Sequence, residues 1–144
     1  MNGRGLVTLL VLALSACGAS GPASPTPNVP LGEAFTLRIG ELAHVDSALE
    51  VSIESIPADS RCPVDVTCVT GGDATVRVMI GPAFGDGPTR LYELHTGPDN
   101  ARREVDIVGS RRLVLVALEP QPRSTVTLQQ GDYRTTLRVD PAAR

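Results

Sequence analysis

Few residues of this chain are able to do covalent, metal or acid–base chemistry. The 144-residue sequence contains three cysteines, Cys17, Cys62 and Cys68, and two histidines, His44 and His95. Every basic residue apart from histidine is an arginine, so the chain has no lysine. The absence of lysine excludes Schiff-base lysines, P-loop lysines and Ser–Lys dyads. The kinds of chemistry that the sequence still allows are therefore thiol modification, disulfide formation, metal binding and histidine-based catalysis.

Cys17 directly follows a segment that is typical of export. Arg4 precedes an apolar run from Leu6 to Leu14, which suits a signal peptide and is shorter than the about 20 residues of a membrane span. The sequence Leu-Ser-Ala-Cys that ends at Cys17 resembles the lipobox of bacterial lipoproteins, in which the cysteine thiol takes a diacylglycerol. We therefore expect a signal peptide over residues 1–16, cleavage before Cys17 and a membrane anchor through lipid on this cysteine.

Residues 17–30 form the lipidated cysteine and a tether. Four prolines among small residues keep this segment from burying apolar surface, so it is expected to be extended or coiled. Aspartate directly after the cysteine is the familiar signal for retention in the inner membrane, and this chain has Gly18 there. We expect the outer membrane in a cell with two membranes, and otherwise the outer face of the cell membrane. The folded domain is expected over residues 31–144.

The segments after residue 31 show apolar residues at every second position, which is typical of strands with one wet face. Alternation predicts antiparallel strands at 35–39, 49–53, 74–80 and 133–139, and weaker strands are predicted at 92–96 and 104–108. The run 113–118 is apolar on both faces, which predicts a central strand. Gly109 and Ser110 predict a two-residue type II′ hairpin. The fold expected is an all-β antiparallel sandwich of about seven or eight short strands.

Cys62 and Cys68 are the cysteines that remain once Cys17 carries lipid. An exported chain meets an oxidising compartment, which favours a disulfide between them. A metal site lacks further ligands in this segment, because there is no third free cysteine and no nearby histidine. The C-x₅-C spacing also differs from the C-x-x-C of redox catalysts. The sequence therefore predicts a structural disulfide between Cys62 and Cys68.

The cysteine segment also carries a resemblance. The run Asp59-Ser60-Arg61-Cys62-Pro63, followed by Cys68 and Gly72, resembles the hallmark of a family of small bacterial secreted proteins and lipoproteins of unestablished activity. The aromatic residue of that pattern is replaced here by Thr70. The resemblance extends loosely over most of the domain and implies no activity.

Two interpretations of the segment from Asp59 to Gly72 are open. In the structural one, Asp59 forms an Asx turn, Arg61 pairs with Asp59 or Asp73, and Gly72 admits a close backbone approach. In the functional one, the segment is a binding loop on a rigid sheet scaffold, formed by Asp59, Ser60, Arg61, Pro63 and Gly72. Arg61 would then hold a carboxylate or phosphate with its planar guanidinium.

The sequence contains no motif that assigns an enzymatic activity. It has neither a G-x-S-x-G elbow nor an H-E-x-x-H helix, and it suggests no metal site and no cofactor. The net charge of −3 opposes nucleic-acid binding. We expect a non-catalytic binding or structural module in the cell envelope, with the membrane and an envelope protein or glycan as partners. The alternative is a small hydrolase that uses His44 or His95.

Overall fold

The computed structural model describes residues 26–97 and 102–141. The predicted signal peptide, the predicted lipidation site at Cys17 and most of the predicted tether lie outside these residues. Within the described part of the chain, no helix is long and apolar enough to cross a membrane.

The described residues form two packed β-sheets, which confirms the predicted all-β sandwich. The strands are β1 (Asn28–Val29), β2 (Ala34–Leu37), β3 (Leu42–Val45), β4 (Leu49–Asp59), β5 (Ala74–Pro82), β6 (Arg90–His95), β7 (Glu104–Ile107), β8 (Arg111–Glu119) and β9 (Arg134–Pro141). The first sheet has the order β1-β3-β4-β5-β6, and the second has the order β2-β9-β8-β7. All the strand pairs are antiparallel except β1 with β3.

The core lies between the two sheets and is aliphatic. Alternate residues of the long strands point inward, and Val51, Val76, Leu94, Leu113 and Leu137 are fully buried. The predicted central strand, β8, lies between β9 and β7 as expected. Alternation thus predicts which side chains are buried, because successive side chains of a strand point to opposite faces.

The first sheet begins within the segment assigned to the tether. Asn28 pairs with His44 and Val29 with Val45 in parallel, and Val29 is buried in the core. Neither β1 nor β3 was expected from the sequence. The two residues of β1 are too few to show a period, and in β3 the apolar Leu42 stands at an outward position, which obscures the alternation of apolar and polar residues.

The predicted type II′ turn between β7 and β8 is wrong. Ile107 pairs with Arg111, so the loop has three residues, and both Gly109 and Ser110 have positive φ angles, of 75° and 52°. A type II′ turn requires a positive φ at its first central residue alone. The dipeptide Gly-Ser indicates a tight turn but does not determine the register of the strands that it joins.

A side-chain amide supports the irregular half of β4. The pairing of β4 with β5 shifts register between Ile53 and Ala58. Within this stretch Ile56 N–H donates to Gln130 Oε1 at 3.0 Å, and Gln130 Nε2 donates to the Ile56 carbonyl at 2.8 Å. The Gln130 amide thereby satisfies the Ile56 backbone groups that a neighbouring strand would otherwise bond. Strand β4 continues to Asp59, where the cysteine segment begins.

Candidate functional site

The segment between β4 and β5, residues 60–73, is called the disulfide loop here. Its Cys62 and Cys68 sulfurs are joined at 2.08 Å, which confirms the predicted disulfide. The loop leaves the first sheet at Asp59 and returns to it at Ala74, so both of its ends are held by paired strands.

Arg61 folds back onto Asp59 in a buried ion pair. The Arg61 Nε and Nη2 atoms donate to the two Asp59 carboxylate oxygens at 2.9 and 2.7 Å, and the side chains are 8% and 9% exposed. Arg61 also donates to the carbonyls of Leu118 at 2.6 Å and Pro120 at 2.9 Å. The Arg61 N–H donates to Asp59 Oδ1 at 3.1 Å, which makes an Asx turn. This is the arrangement that the structural interpretation describes, and it leaves little of the guanidinium for a ligand.

Asp59 is the centre of this buried network. Burial alone would raise the pKa of Asp59. The hydrogen bonds from Arg61, the positive charge of Arg61 and the hydrogen bond from the Tyr133 hydroxyl outweigh burial and hold this pKa below its usual value. Burial and then the nearby Asp59 charge raise the pKa of Tyr133 to about 12. At neutral pH Asp59 is therefore a carboxylate, and Tyr133 remains a hydrogen-bond donor to it.

Ser60 and Gly72 close the base of the disulfide loop. The Ser60 hydroxyl donates to the Asp73 carbonyl at 2.9 Å and accepts from the Asp73 N–H at 3.2 Å. A Cβ atom on Gly72 would lie 1.6 Å from the Ser60 carbonyl oxygen, so no side chain fits at that position. The polar side chains of three candidate binding residues, Asp59, Ser60 and Arg61, therefore bond within the domain. Gly72 has no side chain to offer, and Pro63 is half-buried.

The disulfide loop exposes three valines, which was not expected from the sequence. Val64 and Val66 are 56% and 46% exposed, and Val69 is fully exposed. The sequence did contain a signal for this exposure. Val64 and Val66 lie among the five residues between Cys62 and Cys68, and Val69 directly follows Cys68, in a stretch too short to form a paired strand. They have no place in the core and must point outward.

The disulfide loop is held against the connection between β8 and β9. The Ser124 N–H and hydroxyl donate to the Asp65 carboxylate at 2.9 and 2.7 Å, and the Val64 N–H donates to the Pro122 carbonyl at 3.0 Å. Val126, on the same connection, is also about half exposed. The exposed valines are therefore presented by a rigid support rather than by a free loop.

His95 lies beside the end of the disulfide loop and pairs with Asp73. The His95 Nδ1 and Asp73 Oδ2 atoms are 2.6 Å apart, and the Gly97 N–H donates to Asp73 Oδ1 at 2.7 Å. Burial alone would raise the pKa of Asp73, but the bonds from His95 and Gly97 outweigh it and lower this pKa. Asp73 is therefore ionised at neutral pH and orients the imidazole.

The two histidines differ in what surrounds them. Among the described residues, His95 forms its side-chain hydrogen bond with Asp73 and none with a hydroxyl or thiol. The His44 Nε2 and Glu50 Oε2 atoms are 3.7 Å apart. The His44 ring packs against the Phe84 ring, with the ring centroids 5.6 Å apart. The described structure thus supplies His95 with an acid but with no bonded nucleophile.

A shallow cavity of about 340 Å³ lies beside the base of the disulfide loop. Its walls include Cys62, Gly72, Thr96, Arg103 and Leu118, and neither histidine lines it. Arg103 donates to the Thr96 carbonyl at 3.0 Å. No group of three or more His, Cys, Asp or Glu side chains that could hold a metal ion occurs in residues 26–97 and 102–141.

Comparison with family models, with curated proteins and with solved structures finds no significant match to this chain.

Proposed function

We propose that this protein is a lipoprotein of the cell envelope whose β-sandwich is a non-catalytic binding module. Export by the signal peptide over residues 1–16 and lipid on Cys17 would place the domain at a membrane surface, as a member of the family that the cysteine segment resembles. The lipobox supports the anchor. The disulfide between Cys62 and Cys68 supports export, because such bonds persist in oxidising compartments.

The observation that carries the binding role is a rigid disulfide loop with exposed valines at its surface. The buried Arg61–Asp59 pair and the Asp65–Ser124 hydrogen bonds order the loop before any partner arrives. Binding therefore costs little further conformational entropy, which is a main cost of association for loops. Val64, Val66 and Val69 supply apolar area that a partner would remove from water.

The chemistry of this surface favours an envelope protein over a glycan as the partner. Aliphatic side chains offer few hydrogen bonds to sugar hydroxyls, whereas they suit the apolar centre of a protein interface. The Ser60 hydroxyl and the Arg61 guanidinium of the disulfide loop bond within the domain, and its Asp65 carboxylate accepts from Ser124.

Site-specific photocrosslinking in intact cells tests this role. A crosslinking residue at Val69 is expected to form one discrete adduct, and one at Val108 is the control. Val108 is also exposed but lies in the turn between β7 and β8, outside the disulfide loop. The double variant Val64→Ser/Val66→Ser should lose the Val69 adduct, because each valine withdrawn from an interface weakens binding by about tenfold.

The thermal midpoint of this double variant should remain close to that of wild type, because exposed substitutions change stability by only about 0.5 kcal/mol. The same adducts at Val69 and Val108, or none at either position, would contradict the proposed binding surface.

The anchor has its own test. Cys17→Ser is expected to move the protein from the detergent phase to the aqueous phase while the domain stays folded, because this thiol is the proposed acylation site. A variant that keeps the detergent partitioning of wild type would refute lipid attachment at Cys17.

We also propose an alternative function, a small hydrolase, which the Asp73–His95 pair favours over a site at His44. A carboxylate bonded to the histidine Nδ1 supplies the acid and the base of a Ser–His–Asp arrangement, which would need only a serine nucleophile in addition. A fluorophosphonate probe labels an activated serine whatever the substrate is. Labelling that His95→Ala removes, while His44→Ala does not, would favour the hydrolase. Wild-type protein that stays unlabelled excludes a serine hydrolase at this pair.

A further inference from the structure

A cavity that is lined by both an arginine and a glutamate lies where the two sheets and the disulfide loop meet. It is the cavity of about 340 Å³ beside the base of the loop, and we call it the Arg103 cavity. Its walls come from the end of the disulfide loop, from the residue after β6, from the approach to β7 and from the second half of β8, and they include Gly71, Gly72, Thr96, Arg103, Val116 and Glu119. Among the described residues, neither Arg103 nor Glu119 belongs to an ion pair. Two opposite charges therefore line one cavity without neutralising each other.

Arg103 is held in place by the fold but keeps most of its hydrogen-bond donors. Its carbonyl accepts from the Leu115 N–H at 2.8 Å, and its Nη2 atom donates to the Thr96 carbonyl at 3.0 Å. The bond to Thr96 is the one side-chain hydrogen bond of Arg103 among the described residues, whereas a guanidinium has five N–H donors. A carbonyl also leaves the positive charge without a counterion. A planar guanidinium that is oriented in this way beside a cavity suits a carboxylate, which it binds through two parallel hydrogen bonds.

Strand β8 is irregular next to Arg103. Leu115 pairs with Leu137 and Ala117 pairs with Thr136, so Val116 is an extra residue in β8. A bulge of this kind turns a side chain out of the regular alternation, and Val116 is 40% exposed at the cavity wall. Bulges are frequent next to functional sites for this reason. Val116 thereby gives the cavity an apolar contact beside its positive charge.

Glu119 supplies the negative charge of the cavity from the end of β8. It is exposed, and it lies four residues after Leu115, which bonds to the Arg103 backbone. Four residues of strand correspond to about 13 Å. The two charges thus come from separate places along β8, and a ligand that meets both must carry its own opposite charges at separate ends.

We propose that the Arg103 cavity binds a short peptide with free ends, with the peptide carboxylate on Arg103 and the peptide ammonium group beside Glu119. Each end then replaces the missing counterion of one side chain. The N–H groups of Gly71 and Gly72 form no backbone hydrogen bond among the described residues and are available to the carbonyl groups of the peptide. The volume of the cavity lies at the small end of the about 300–1,000 Å³ that is typical of ligand sites, which suits a peptide of very few residues.

This site is separate from the exposed valines of the disulfide loop. Val64, Val66 and Val69 do not line the Arg103 cavity. The inference therefore goes beyond the proposed binding of an envelope protein and does not rest on it.

Alanine peptides with free and blocked ends test the site on the wild-type protein. Purified ¹⁵N-labelled protein in detergent micelles is titrated with alanylalanine, with its N-acetyl form, which lacks the ammonium group, and with its C-terminal amide, which lacks the carboxylate. We expect alanylalanine to shift the amide resonances of Gly71, Gly72 and Thr96. Each blocked form should bind about tenfold more weakly, because it loses one charge-assisted contact. Equal affinities for the three peptides, or no shift of these resonances at millimolar concentration, would refute the proposal.

Two variants assign the ends of the peptide to the two charges. In Arg103→Gln, alanylalanine should bind no better than its amide, and in Glu119→Gln it should bind no better than its N-acetyl form. Arg102→Gln is the matched control, because Arg102 is exposed, carries the same charge and does not line the cavity. Equal losses of affinity in Arg102→Gln and Arg103→Gln would reduce the effect to net charge and overturn the site. The blocked peptides decide the outcome on wild type even where a variant fails to fold in a thermal melt.

Discussion

Two acid–base pairs flank the disulfide loop, and they differ in burial rather than in distance. Asp59 and Arg61 are 2.7 Å apart at its start, and Asp73 and His95 are 2.6 Å apart at its end. The first pair is almost fully buried, whereas the side chains of Asp73 and His95 are 39% and 18% exposed. Removing one member of a buried pair leaves an uncompensated charge in the interior, whereas water replaces the partner of an exposed one. The first pair therefore supports the loop, and the second remains accessible to protons and ligands.

The largest effect is expected for Arg61→Ala. The variant leaves the Asp59 carboxylate and the Leu118 and Pro120 carbonyls without their donor, so the free energy of unfolding should fall by about 3–5 kcal/mol. Urea denaturation measures the loss. Arg77→Ala is the control, because its pair with Glu93 is exposed and should cost at most about 1 kcal/mol. Equal losses in the two variants would contradict the contrast between buried and exposed pairs.

Loss of the disulfide is expected to cost less. The double variant Cys62→Ser/Cys68→Ser should lower the free energy of unfolding by about 2–2.5 kcal/mol, because the crosslink closes a short loop in the unfolded chain. The Arg61–Asp59 pair remains in this variant and holds the loop base. Mass spectrometry with and without reductant first establishes that wild type contains the bond. Two free thiols in protein exported to the periplasm would contradict it.

The exposed pair is expected to make stability depend on pH. Asp73 has a lowered pKa in the folded state, so its contribution is fully present above its unfolded value of about 4 and is lost as pH falls through the folded value. Wild type should therefore exceed Asp73→Asn in stability near neutral pH, and the difference should shrink under acid. Thermal melts of both proteins from neutral to acidic pH measure this. A difference that is constant with pH would show that the Asp73 charge does not contribute.

The smallest effect is expected at a buried hydroxyl away from both pairs. Thr135 Oγ1 is buried and has no hydrogen-bond partner among the described residues. Thr135→Val keeps the shape and removes the unsatisfied group, so stability should rise by up to about 1 kcal/mol. Thr136→Val is the control, because the Thr136 hydroxyl bonds to Thr36 at 2.9 Å on the exposed face. A stability loss for Thr135→Val larger than that for Thr136→Val would indicate a partner for the buried hydroxyl.

Local patterns in the sequence determined the β class, most strand positions and the disulfide. Burial on one face of a strand requires apolar residues at every second position, so β2, β4, β5 and β9 can be located from their own residues. Strand β8 can be located from a run that is apolar on both faces. The disulfide could be predicted for a similar reason, since Cys62 and Cys68 lie close in the chain and have few other partners. The close backbone approach expected at Gly72 is found against Ser60.

Tertiary structure alone decided which side chains of the disulfide loop face the solvent and which bond within the domain. The sequence allowed Arg61 to pair with either Asp59 or Asp73, and the choice depends on the Leu118 and Pro120 carbonyls, which come from a distant strand end. The pairing of β1 with β3 arises in the same way, because the register between the two strands is determined only when the sheet assembles. Periodicity reports which face of a segment is buried, but the residues beside that face are determined only when the sheets assemble.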